Sequence, residues 1–222
     1  MSAGSSPAVI FDLDGTLIDS VPAIHSVSNA VLTELGFEPL SLPTIRSFVG
    51  KGVPNLVRQL LITSGEDPDG PLFPRVEHAL IARYETDVEG NVPYPGVVSA
   101  LDTLAAMGCR MAVCTNKPFG PAEAALRHVG LWEYFEMTLG GDSLPTRKPE
   151  PAMLHHCHEA LGGGRMIYVG DSEVDAETAV NAKAPFAIYS EGYRKAPLHE
   201  VPHDVAFSDW AMLPGLVEGW KW

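Results

Sequence analysis

Ala8-Val9-Ile10-Phe11-Asp12-Leu13-Asp14-Gly15-Thr16 is the stretch on which the fold of this chain turns. Four apolar residues in unbroken succession read as a strand covered on both faces, as in a parallel sheet. The strand runs into two carboxylates two residues apart, Asp12 and Asp14, which an extended backbone points to one side. The carboxyl end of a parallel strand is where open α/β sheets bind their ligands. A carboxylate pair there can hold a hard cation such as Mg²⁺ through oxygen. It can also divide its roles, one acid attacking phosphorus and the other moving protons. By itself the stretch also fits a strand entering an Asp-Gly hairpin turn, so its weight comes from the strands that follow it.

Outward from this point, short apolar runs at Met111–Cys114, Met166–Val169 and Phe186–Tyr189 read as further buried strands, with a weaker one at Val205–Phe207. Helical patterns separate them at Val97–Met107, Ala122–Val129, Ala152–Leu161 and Val174–Lys183. The alternation predicts a doubly wound, Rossmann-like α/β fold with a parallel sheet. One stretch interrupts it. From Val21 to Glu89 the pattern is helical, with Pro22–Leu35, Asn55–Ile62 and Arg75–Val88 as its best helices and Ser64–Pro74 as a loop rich in Gly and Pro. Gly90–Gly96 reads as the return linker. The expected organisation is a core of residues 1–20 and 90–222 carrying an inserted helical cap of residues 21–89.

Each later strand tip carries chemistry of its own. Thr115 and Asn116 follow the second strand, and a hydroxyl and an amide there can donate to phosphate oxygens; an N-cap would use the same residues. Lys148 lies in Arg147-Lys148-Pro149-Glu150-Pro151, where the prolines suit the first turn of a helix and the lysine can act as a point charge on phosphate. The competing reading is a solvated lysine ahead of a helix. Asp171 follows the strand Met166–Val169 and is a natural second carboxylate for a metal, with Asp175 in support. A capped loop-to-helix junction would look similar. Taken together, the fold gathers acids, a hydroxyl, an amide and a lysine in one crevice, which is the equipment of phosphoryl transfer.

With these motifs in place, the chain resembles the haloacid-dehalogenase-like (HAD) phosphohydrolases. Phe11-Asp12-Leu13-Asp14-Gly15-Thr16-Leu17, Thr115-Asn116, Lys148-Pro149 and Gly170-Asp171 with Asp175 follow the four motifs of that superfamily in order. More narrowly, Tyr94-Pro95-Gly96, Cys114-Thr115-Asn116-Lys117-Pro118, Gly140-Gly141-Asp142-Ser143-Leu144-Pro145 and Val169-Gly170-Asp171-Ser172 are similar to strings of bacterial phosphoglycolate phosphatases. The resemblance implies that Asp12 is a nucleophile and Mg²⁺ ligand. It implies that Asp14 is the acid/base and binds the metal through its main-chain carbonyl. Thr115 and Asn116 would bind the phosphoryl group, and Lys148 would neutralise charge on Asp12 and phosphate. Asp171 would be a metal ligand with Asp175 behind it. The implied substrate is a small phosphate ester, 2-phosphoglycolate above others. Alternatives are a mutase of the β-phosphoglucomutase type, or a phosphatase for another small phosphorylated metabolite. The filled acid and lysine positions argue against a non-enzymatic binding module. A carboxylate on the substrate would need, beyond the metal and Lys148, another cation or a nest of backbone N–H groups. Gly50-Lys51-Gly52, ahead of the cap helix around Asn55–Ile62, offers Lys51 first, with Arg58 second.

Composition bounds the partners. The chain has 222 residues, 45% of them hydrophobic and 19% charged, so it can bury a sizeable core. The formal net charge of −13 repels nucleic acid and anionic lipid, so neither is an expected partner, and a phosphate-handling site must bring its own cations. The start, MSAGSSPA, has no signal-peptide pattern, and the first few residues are expected to form a flexible tail. Cys109, Cys114 and Cys157 form no C-x-x-C pair, and a reducing cytoplasm fits them best. A monomer or a homodimer is expected. His155, His156 and His158 flank Cys157 on a predicted helix, but their spacing does not focus all three on one face. Trp210 is expected to pack on the core, while Gly219-Trp220-Lys221-Trp222 reads either as a frayed tail or as a contact with another subunit.

Overall fold

Six parallel strands in the order β5-β4-β1-β6-β7-β8 form the main sheet of a computed structural model that describes residues 7–220. They are β1 (Ala8–Phe11), β4 (Arg110–Cys114), β5 (Met137–Leu139), β6 (Met166–Gly170), β7 (Phe186–Tyr189) and β8 (Val205–Phe207). The chain moves from β1 outward to β4 and β5, then returns to the other side of β1 for β6, β7 and β8. Such a reversal of strand order marks the crevice where doubly wound sheets bind ligands. The doubly wound α/β fold expected from the alternation is the fold observed. The apolar runs are continuous because both faces are covered. Val9 and Phe11 join the cluster packed by α5 (Val97–Ala106), α6 (Phe119–His128) and α9 (Leu213–Glu218). Ala8 and Ile10 join the cluster packed by α7 (Ala152–Ala160) and α8 (Glu173–Ala182).

Register sets the site. Phe11 pairs with Val113 of β4 and Val169 of β6, so three strand ends stop at one level. Asp12, Thr115 and Asp171 leave those ends side by side. Parity sets the rest: Asp12 continues the Ala8–Ile10 face, the one Tyr168 and α7 share.

Between β2 (Ile18–Asp19) and β3 (Val92–Pro93), a short antiparallel ribbon, the chain folds into four helices. These are α1 (Val21–Glu34), α2 (Leu42–Arg46), α3 (Val53–Thr63) and α4 (Phe73–Tyr84). They close on a core of their own. In α3, Val53, Leu56, Val57, Leu60 and Leu61 repeat with helical spacing and are all buried there.

Several boundaries differ from the sequence reading, for local reasons. Helix α4 starts at Phe73 with Pro74 in its first turn, and ends at Tyr84 rather than Val88, where the Thr86 N–H turns to the Arg83 carbonyl three residues back. Helix α6 begins at Phe119, whose N–H is taken by the Asp142 carboxylate at 2.8 Å. Helix α7 begins only at Ala152, so Pro149 lies outside its first turn, after a cis peptide from Lys148. Strand β5 has only three residues, of which the central one is Thr138, so no apolar run marks it in the sequence. The ribbon strands have two residues each, and α2 has five. The expected N-terminal tail and the Lys221-Trp222 ending lie outside the described residues. Trp220 packs against the α5–α6–α9 side of the core, and Trp210 is fully buried against Phe11, Tyr189 and Phe207. Among the described residues, no helix is long and apolar enough to cross a membrane.

Candidate active site

The floor of the crevice is an alternation of acids and lysines. The Lys148 ammonium lies 2.8 Å from Asp12 Oδ1 and 2.7 Å from Asp175 Oδ1, with 1% of its side chain exposed. It also donates to the Tyr168 hydroxyl at 3.0 Å, and Tyr168 donates to Asp175 Oδ1 at 2.6 Å. Burial opposes the charge on Lys148, but Asp12 and Asp175 outweigh it and hold the ammonium above the usual lysine range. Asp175 is fully buried, and burial would raise it. The ammonium of Lys148 and hydrogen bonds from Lys148, Tyr168 and Ser172 hold it below the usual carboxylate range instead. Its other oxygen accepts the Ser172 hydroxyl at 2.7 Å and the Ser172 N–H at 3.1 Å, which fastens the start of α8. So the lysine whose own segment reads more readily as a solvated position is a buried bridge between two acids.

Asp171 stands opposite Asp12. Its Oδ1 accepts the Thr16 hydroxyl at 2.8 Å and its Oδ2 accepts the Tyr193 N–H at 2.5 Å. Gly15 (φ +89°) passes so close that a Cβ there would sit 2.6 Å from Asp171 Oδ2. Burial, reinforced by Asp175 and Asp12, pushes the Asp171 carboxyl well above its ordinary value. Burial also pushes Asp12 up to about 7; Lys148 pulls it down, and Asp175 adds to the rise. Carboxylate oxygens of Asp12, Asp171 and Asp175 lie within 4.8 Å of one another. Asp175 is committed to Lys148, Tyr168 and Ser172. Asp12 shares its one cation, Lys148, with Asp175, and Asp171 pairs with none among the described residues, so two buried carboxylates stand together as oxygen donors of the kind that can hold a hard divalent cation.

Asp14 has a cation of its own. Lys117 Nζ donates to Asp14 Oδ1 at 3.2 Å and sits 5.2 Å from the centre of the Tyr84 ring. The Thr115 hydroxyl oxygen accepts the Lys117 N–H at 3.2 Å, which leaves its own hydrogen free to donate. Asn116 spends its amide hydrogens on the carbonyls of Gly50 and Lys148, at 3.2 and 3.1 Å, and so ties the helical unit to the core. With both amide hydrogens committed, the donor Asn116 has left to present in the crevice is its backbone N–H. Lys51 is exposed on the rim of a cavity that it shares with Asp14, Asp171 and Tyr193. Arg58, the second choice for a substrate carboxylate, is turned away: it pairs with Asp69 at 3.0 Å and lies over Phe73, because α3 points its apolar stripe inward and Arg58 outward.

Tyr168, Lys117, Thr16 and Tyr193 were not assigned roles from sequence. Lys117 stood in a recognised string, and Thr16 closed the first motif. Tyr193 has no local signal, yet its hydroxyl accepts the Ser20 and Val21 N–H groups and donates to Asp19, where the chain enters α1. The histidines of α7 form no cluster: His155 meets the Ala182 carbonyl and His158 that of Gly164.

An α/β sheet that presents a carboxylate nucleophile candidate, a second acid and two buried lysines at one crevice defines a phosphoryl-transfer hydrolase. The chain belongs to the haloacid dehalogenase-like hydrolases, whose family model matches residues 9–189. It is 60% identical to a phosphoglycolate phosphatase of Rhodobacter capsulatus, over 98% of this chain and 99% of that one. It is 38% identical to a phosphoglycolate phosphatase of Rhodospirillum rubrum, over 93% and 88%. Among solved structures, a predicted phosphoglycolate phosphatase from Haemophilus somnus 129pt superposes with a TM-score of 0.89 at 26% identity, covering 97% of this chain and 99% of that one. Fold, site and relatives together make this chain an enzyme, a phosphatase.

Proposed function

We propose that the enzyme hydrolyses 2-phosphoglycolate to glycolate and phosphate with Mg²⁺, through an aspartyl phosphate on Asp12. The observation that carries this reading is the division of cations between two acids two residues apart: Lys148 on Asp12 and Lys117 on Asp14. Neighbouring acids in different surroundings take different parts in acid–base chemistry. The relatives named phosphoglycolate phosphatase support the substrate.

Asp12, Asp171 and the main-chain carbonyl of Asp14 would hold Mg²⁺, with Asp175 behind; when bound, the ion offsets the charge of the phosphate dianion and of the buried acids around it. Asp12 attacks phosphorus in line. The P–O bond to the glycolate oxygen breaks as Asp14 gives that oxygen its proton. Thr115 Oγ and the Asn116 N–H hold the phosphoryl oxygens, and Lys148 keeps Asp12 ionised and oriented. Asp14, now a carboxylate, takes a proton from water; the water attacks phosphorus, the P–O bond to Asp12 breaks, and phosphate leaves. The helical unit, residues 21–89, serves as a cap over the core of residues 1–20 and 90–222, closing on the substrate and excluding bulk water. Lys51 borders the neighbouring cavity on the Asp171 side. The three cysteines are free and buried, which suits a reducing cytoplasm.

The test is to trap the intermediate. Asp14→Asn should slow turnover of an alkyl phosphate by roughly 10²–10⁴-fold, the usual worth of a general acid/base. With an activated aryl ester, whose leaving group needs no proton, rapid-quench mass spectrometry should then find phosphate on Asp12. Asp12→Asn should show neither adduct nor turnover. An Asp14→Asn enzyme at wild-type speed on an alkyl phosphate, or phosphate release by Asp12→Asn, would defeat the mechanism.

A further inference from the structure

We propose that Lys117 is the specificity-determining residue that seats the carboxylate of the substrate. The proposal rests on the reading above and deepens it, from a phosphate ester in general to one with an anionic group beside its leaving oxygen.

The cavity above Asp12, Thr115 and Asn116 is where the leaving group must lie. Its upper wall comes from the helical unit and is apolar: Ile24, Phe48, Val53, Leu56 and Tyr84. Lys117 is the one cation among the described residues that line it. Chemistry fixes where a carboxylate would fall. In 2-phosphoglycolate the carboxyl carbon is bonded to the carbon that carries the leaving oxygen, so its oxygens lie roughly 3 Å from that oxygen at standard bond lengths. To take a proton, the leaving oxygen must come within about 2.6–3.2 Å of Asp14. The Lys117 ammonium is 3.2 Å from Asp14. A carboxylate carried by this substrate is therefore within reach of Lys117 whenever the ester is positioned to react.

Lys117 is also built to wait for a ligand. Its side chain is 7% exposed, the Tyr84 ring flanks the ammonium, and Thr115 fixes its backbone. An ammonium has three donors. Asp14 takes one, and no other described residue hydrogen-bonds the ammonium. Donors left over in so buried a place favour an anionic partner. Lys51, by contrast, is exposed and borders the neighbouring cavity on the Asp171 side.

The test compares kcat/KM on 2-phosphoglycolate with that on ethyl phosphate, which has a methyl group in place of the carboxylate. Both are alkyl esters that need the proton of Asp14, so any disturbance of Asp14 cancels in the ratio. Lys117→Met should lower the preference for phosphoglycolate roughly 10–100-fold, the loss typical of a charged hydrogen bond. Lys117→Arg should keep part of it, and Lys51→Ala should leave it near wild type. Should the methionine variant not fold, Lys117→Gln, polar and nearly as long, reads the same ratio. A preference that survives loss of the Lys117 charge, or that falls in Lys51→Ala instead, overturns the role of Lys117 and leaves the substrate standing. A wild-type enzyme with no preference for phosphoglycolate over ethyl phosphate overturns the substrate reading itself, and the role with it.

Discussion

Lys148→Met keeps most of the length and apolar stem of the side chain and deletes its charge. In the native fold that charge sits 2.8 Å from Asp12 and 2.7 Å from Asp175, whose side chains are 9% and 0% exposed. Neither acid can turn to water. Removing one partner of a buried ion pair costs about 3–5 kcal/mol, because the remaining charge is left uncompensated. Here two acids lose the same partner. Asp175 is held low by Lys148, and Asp12 reaches only about 7 despite full burial because Lys148 restrains it. Without the ammonium both acids take up protons more readily, and a protonated Asp12 is no nucleophile. Lys148→Met should therefore lose about 3–5 kcal/mol in guanidinium unfolding, the full cost of an orphaned buried acid, and should also lose turnover. A double-mutant cycle separates charge from shape. Asp175→Asn removes one of the two acids that Lys148 serves, so adding it to Lys148→Met should cost less than the two single losses together. The shortfall expected for contacting residues is about 0.5–3 kcal/mol. Circular dichroism and tryptophan fluorescence can both follow the transition. Additivity of the two substitutions, or a Lys148→Met protein as stable as wild type, would refute the claim that this lysine holds two buried acids together.

Three further outcomes are expected. Excess EDTA should abolish turnover, and Asp171→Asn, which keeps an oxygen for the Thr16 hydroxyl, should raise the Mg²⁺ needed for half-maximal rate far more than it raises KM; full activity in EDTA would remove the metal from the mechanism. Trp210→Ala should cost about 3–5 kcal/mol of stability, the usual range for a buried aromatic, since Trp210 is fully buried among Phe11, Tyr189 and Phe207; a loss under 1 kcal/mol in denaturant unfolding would mean the sheet end repacks without it (a reading at odds with its three ring contacts).

The strand tips were legible because a continuous apolar run that stops at Asp, Thr or Gly-Asp states both the burial of the strand and the chemistry at its end. Period-two geometry then says that Asp12 and Ile10 share a face. The partners of those tips were not legible in the same way, because charge pairing belongs to the tertiary fold. Lys117 and Asp14 are 103 positions apart, and Tyr193 reaches Asp171 across 22. Lys148 shows the difference best. A lysine before Pro-x-Pro and a helix reads more readily as solvated, and nothing within ten residues decides whether it is buried. What decides is that α7 packs on the face carrying Asp12 and Tyr168, which brings the preceding lysine over two acids. The cap lysine raises the same question in a different setting. Glycines on both sides marked Lys51 as a close approach to ligand, but they left its side chain exposed. Lys117, flanked by Asn116 and Pro118 and carrying no glycine signal, was buried because α6 starts two residues later and Tyr84 of α4 closes over it. A short motif fixes which residues reach the crevice; which of them lose water there depends on the elements that close above.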